Sequence, residues 1–151
     1  MVPTRLAPSS SPVSQDSLPG FTLSDSVRQL AVDILSELRE KFFDGVGVSR
    51  ETYGESETAA FMLLESYARD AGFEIQWDAA RNLIIRLPGQ NPELPAVATG
   101  SHLDSVPEGG NYDGAAGVVA GLAVLIAVKQ TGIPRRSMEV YALRGEESAW
   151  F

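Results

Sequence analysis

The stretch that most limits what this chain can become is residues 115–128, fourteen small or apolar residues without a charge. It continues as a helix to about Gln130, apolar on nearly every side, and a helix of that kind is expected to be buried between layers. A membrane span needs about 20 such residues, so a core helix is the expectation and a membrane partner is not. Gly132 and Pro134 end it. A short apolar strand at 96–99 precedes it and a second, Met138 to Leu143, follows. Strand, helix and strand at this spacing form a βαβ unit with parallel strands and a right-handed crossover. The fold class is therefore α/β, with a mixed, largely parallel sheet flanked by helices. Met138 to Leu143 is expected to lie at an edge with unpaired backbone groups.

Upstream, Val27, Leu30, Ala31, Ile34, Leu35 and Leu38 recur on one helical face, with Ser24 as a cap. A second amphipathic helix carries Ala60, Leu63, Leu64, Tyr67, Ala68 and Ala71, with Gly72 as a left-handed stop. Phe73, Ile75 and Trp77 alternate with polar residues, and residues 83–87 make another short strand before Pro88-Gly89. Residues 1–20 are too poor in large apolar groups to offset the entropy of ordering and are expected to be flexible. They contain no apolar secretory segment. The chain has no cysteine, which excludes thiolate chemistry and sulfur-ligated zinc and fits a cytoplasmic setting. A net charge of −8 argues against nucleic acid as a partner.

Open α/β sheets bind ligands at the carboxyl ends of their strands. Those ends here carry His102-Leu103-Asp104 and Glu146-Glu147, and the intervening helix opens at Asp113. Taken singly, each has a structural reading: a packed histidine, an Asp-Gly turn, a solvated helix start. Together they place one imidazole and four carboxylates at one edge. Nitrogen and oxygen donors without sulfur suit zinc or manganese, and several carboxylates invite two ions. Asp104, two positions after His102 in an extended segment, falls on the same side and can accept the imidazole's other N–H. The loop 109–114 has the glycine spacing of a P-loop, but Ala115-Ala116 stand where Lys and Ser/Thr are required. Ser101 and His102, adjacent in a strand, point to opposite faces and make a poor catalytic pair.

Thr99-Gly100-Ser101-His102-Leu103-Asp104-Ser105-Val106, then Gly109-Gly110-Asn111-Tyr112-Asp113-Gly114, resembles the signature of the aminoacylase/carboxypeptidase-type binuclear metallohydrolases. With Arg144-Gly145-Glu146-Glu147-Ser148 it is similar to the N-carbamoyl-amino-acid hydrolase, allantoate amidohydrolase and β-ureidopropionase branch. Gly47-Val48-Ser49-Arg50, Asp70-Ala71-Gly72-Phe73 and Asn82-Leu83 have counterparts there. The resemblance implies a zinc-peptidase-like catalytic domain, of which residues 21–151 would be the N-terminal portion. It implies His102 and Glu147 as ligands of two divalent ions (Zn2+ or Mn2+), Asp113 as their bridge, Glu146 as general base and Asp104 as partner of His102. It also implies a small-molecule N-carbamoyl or ureido acid substrate and a homodimer formed through a domain outside this chain. The branch takes two more histidine ligands from further downstream, whereas this chain has one histidine and stops just after the Glu-Glu pair. The expectation is a fragment that alone binds metal weakly and hydrolyses little. The alternatives are a di-zinc peptidase, an N-acyl-amino-acid deacylase, or an inactive metal-binding or subunit-interaction fragment.

Overall fold

A computed structural model describes residues 22–150; the segment expected to be flexible lies outside them. Helix α1 (Asp25–Phe42) starts where the Ser24 hydroxyl accepts the Val27 N–H at 3.4 Å, and it buries Val27, Ile34, Leu38 and Phe42 along one face. Helix α2 (Glu55–Asp70) ends at Ala71, and the chain leaves it through Gly72 at φ 73°. Strands β1 (Glu74–Trp77) and β2 (Leu83–Leu87) form a hairpin whose turn is fastened by Asp78, which accepts the Asn82 backbone and side-chain N–H groups at 2.9 Å each. Strand β3 (Val97–His102), helix α3 (Ala115–Thr131) and strand β4 (Met138–Leu143) follow, then a single 3-10 turn, Ser148–Trp150.

The strands lie in the order β1-β2-β4-β3. β3 and β4 pair in parallel with His102 opposite Leu143, as the βαβ reading requires. The sheet is mixed and carries helices, but the expected parallel majority is corrected: β1–β2 and β2–β4 are both antiparallel. The short β1–β2 connection forces a hairpin, and that hairpin seats its second strand beside β4 in the antiparallel sense. β4 is thus an interior strand rather than the expected edge, and the open edges among the described strands are β1 and β3, the latter with Val97 50% exposed.

Ile75, Trp77, Leu83, Ile85, Val140 and Ala142 share one sheet face and pack with Ile34, Leu38, Phe61, Leu64, Leu122 and Leu125 of the helices. Helix α3 lies between β3/β4 and α1, as its composition predicts. A Cβ on Gly121 would come within 2.9 Å of Val140 Cγ2, so the close approach of helix to sheet requires glycine. Burial of α3 is not complete: Gly117 and Ala120 are exposed on the flank beside the open strand.

The loop after α1 is pinned by one carboxylate. Asp44 accepts the Ser49 hydroxyl and the N–H groups of Val46 (3.0 Å), Gly47 (2.8 Å) and Glu108 (3.1 Å), which together bring its carboxyl down to about 2. A carboxylate with a lowered folded pKa stabilises above its ordinary value of 3.8, and that contribution fades as the pH falls toward about 2. Asp44→Ala is expected to speed hydrogen exchange at the Val46, Gly47 and Glu108 amides near neutral pH. The unsubstituted chain should lose the same protection within that acid window. Exchange at these amides, followed by NMR across the window, checks both outcomes.

Candidate metal centre

Parallel pairing brings the carboxyl ends of β3 and β4 side by side, and the segments that leave them cross at Asp104. This carboxylate is fully buried. It accepts the Thr52 hydroxyl at 2.7 Å, the Glu147 N–H at 2.8 Å and the Glu146 N–H at 3.3 Å. Asp104 therefore caps the turn carrying the Glu-Glu pair, a turn that starts at Gly145 with φ 71°. Its Oδ1 also lies 3.2 Å from His102 Nδ1, and its own carbonyl oxygen lies 3.1 Å from the same nitrogen.

Two acceptors at Nδ1 favour the proton there, which leaves the Nε2 lone pair free. That nitrogen faces Asp113 Oδ1 and Glu146 Oε2, each at 3.7 Å. Ligand atoms of His102, Glu146 and Glu147 lie within 4.8 Å of one another, and Asp113 joins this trio through His102. The imidazole is 12% exposed, while the Asp113 and Glu146 side chains are 61% and 58% exposed. A sheltered ring nitrogen thus points at carboxylates open to solvent. Gly114 makes room for the ring: at φ +64° its Cβ would stand 2.5 Å from His102 Cε1. All five residues singled out in the sequence meet at this edge, with Asp104 behind the histidine and the other three in front. One imidazole and oxygen donors gathered without sulfur suit zinc or manganese.

The shell that holds these groups was not read from the sequence. Glu57, fully buried, accepts Arg144 Nε at 2.7 Å, the Tyr53 N–H at 2.8 Å and the Gly145 N–H at 3.1 Å. The Arg144 guanidinium sits 5.3 Å from the centroid of Tyr53 and 5.1 Å from that of Phe61, and Asn82 Oδ1 accepts its backbone N–H at 2.8 Å. A signal for Glu57 was present: Ala60, Phe61 and Leu64 follow it at helical spacing, so a charge stands on the apolar face and needs a partner. Thr52 and Arg50 carried no comparable signal. Trp150 Nε1 donates to the Ser105 carbonyl at 2.7 Å and lays the segment after the Glu-Glu pair against the one after β3.

Residues 82–151 match Peptidase family M28. An N-carbamoyl-L-amino acid amidohydrolase of Geobacillus stearothermophilus is 43% identical over 106 residues, 70% of this chain and 26% of the relative. An allantoate amidohydrolase of Bacillus subtilis is 35% identical over 106 residues, again 70% and 26%. Among solved structures, a hydantoinase/carbamoylase family amidase from Burkholderia vietnamiensis superposes with a TM-score of 0.78 at 30% identity, over 86% of this chain and 31% of that one. The chain spans about a quarter of the length of the relatives it matches. In sequence the chain is similar to the N-terminal part of N-carbamoyl-L-amino acid and allantoate amidohydrolases, and in fold to part of the hydantoinase/carbamoylase family amidases.

Proposed function

We propose that the full-length protein carrying this chain is a metal-dependent hydrolase of linear amide C–N bonds in small N-carbamoyl or ureido acids. The observation that carries the reading is His102, with Nδ1 committed to Asp104 and Nε2 turned toward Asp113 and Glu146. On this reading His102, Asp113 and Glu147 would hold two divalent ions, zinc or manganese, with Asp113 as the shared ligand and downstream residues completing the set. Bound ions supply Lewis acidity and make water acidic enough to ionise near neutral pH. Asp104 fixes the imidazole tautomer and, by accepting both amides of the Glu-Glu pair, keeps the two carboxylates in front of the ring. Glu146, the more exposed of the pair, takes the proton of the attacking water on its carboxylate and returns it to the nitrogen that leaves as the C–N bond breaks. A homodimer in the cytoplasm is part of the same proposal.

The match to a peptidase family favours a second reading, a di-zinc peptidase or N-acyl-amino-acid deacylase. One assay set separates them. The full-length protein is expected to release ammonia from N-carbamoyl amino acids or allantoate, to lose this on chelation, and to regain it with zinc or manganese. Turnover of dipeptides or N-acyl amino acids alone would favour the second reading, and turnover that survives chelation would end both.

A further inference from the structure

Directly beneath the site lies Arg50, fully buried and with no part in the chemistry above. Its Nε donates to the carbonyl of Leu103, between His102 and Asp104, and its Nη2 donates to the carbonyl of Asp113 at 3.4 Å. The backbone around it is fixed as well: its N–H donates to Ser105 Oγ at 2.9 Å and its carbonyl accepts the Ser105 N–H at 3.0 Å. One planar guanidinium therefore spans the two segments that bring His102 and Asp113 together. Its Nη1 is buried without a hydrogen-bond partner among the described residues. An orphaned donor is costly, so the side chain is held here by its other two bonds and by the charges of Asp104 and Asp113, which offset the cost of burying it. A flexible ammonium in place of the fork would reach one carbonyl at a time.

We propose that Arg50 is a positioning residue that sets the separation of His102 from Asp113 through the Leu103 and Asp113 carbonyls, and thereby sets the metal affinity of the site. The proposal rests on the metal-centre reading. It runs against the simple electrostatic expectation, in which a buried cation beside the carboxylates only repels an incoming ion and its removal tightens binding.

His102 is the sole histidine, so its imidazole NMR signal in the 151-residue chain reports the site when zinc chloride is added. Arg50→Lys, which keeps the charge, and Arg50→Met, which removes it, are both expected to raise the zinc midpoint by about 10–100-fold. Midpoints unchanged in Arg50→Lys and lowered in Arg50→Met would show that charge alone matters and would overturn the proposal. A lowered melting temperature with the midpoint unmoved would overturn it too, leaving Arg50 a structural residue only. The unsubstituted chain gives a second measurement that needs no variant. Its Arg50 Nε–H resonance is expected to exchange slowly and to shift in step with His102 as zinc is added, whereas a shift at His102 alone would sink the proposal. No response of His102 even to zinc in large excess would instead show that this chain does not gather a metal at His102, and would end this inference; metal dependence of the full-length protein is judged separately by the chelation assay.

Discussion

Glu146→Gln in the full-length protein is expected to keep its metal and lose about 10²–10⁴-fold in turnover, the range that a positioned proton acceptor supplies. The amide matches the carboxylate in shape, and the Glu146 backbone N–H still reaches Asp104, so the turn should persist while the group proposed to take the water's proton is gone. Asp113→Ala provides the contrast. Asp113 faces the free nitrogen of His102, and losing it is expected to empty the site of most of its metal. Elemental analysis beside kcat separates the two. Full metal occupancy in the Asp113 variant would end its assignment as a bridge, and normal kcat in Glu146→Gln would end the assignment of the base.

The second large effect falls on stability. Glu57→Ala is expected to cost about 3–5 kcal/mol, because it strands a buried guanidinium rather than removing a pair. The Arg144 side chain is 8% exposed and that of Glu57 fully buried, so water cannot replace the lost carboxylate without opening the start of α2. The same substitution removes the acceptor of the Gly145 and Tyr53 amides. In a chain of this size such a loss lowers the melting temperature by about 10 °C or more. Glu57→Gln keeps the shape and one acceptor oxygen, and should recover part of the loss. Thermal unfolding of the three chains checks the order, and equal melting of Glu57→Ala and the unsubstituted chain would refute it.

What the sequence revealed and what it concealed divide along a physical line. Helix α3 and strand β4 were legible because their apolar composition is a local property, and β4 fell at the bounds read for it. The convergence of His102, Asp104, Asp113, Glu146 and Glu147 was legible because a right-handed βαβ crossover leaves little choice about where strand ends lie. The seat of the β1–β2 hairpin was hidden: nothing local to residues 83–87 specifies β4 as their antiparallel neighbour. The strand before the site is longer than the 96–99 expected from composition, since it runs from Val97 to His102. Its last three residues, Gly100, Ser101 and His102, carry no β-branched or large aliphatic side chain to announce a strand. The polar supports were the hardest to see. Glu57 and Arg144 stand 87 positions apart, and Arg50 serves main-chain carbonyls, which have no identity in a sequence.

The last strand in the chain occupies an inner position in the sheet, and this has a consequence for biosynthesis. β2 and β3 do not pair with one another; each is paired to β4. A growing polypeptide that has not yet delivered residues 138–143 therefore has its sheet in two unpaired parts, the β1–β2 hairpin and a lone β3, joined only through the helices and loops around them. Neither has a finished layer to close on, and their exposed apolar faces must be kept from other chains until β4 emerges. Glu146 and Glu147 follow that strand by only a few residues, so the stretch of synthesis that joins the pieces also delivers the carboxylates to His102. Ribosomes that stall before Met138 would release His102 with its two aspartates but without the Glu-Glu pair, and a chaperone client in place of a folding unit.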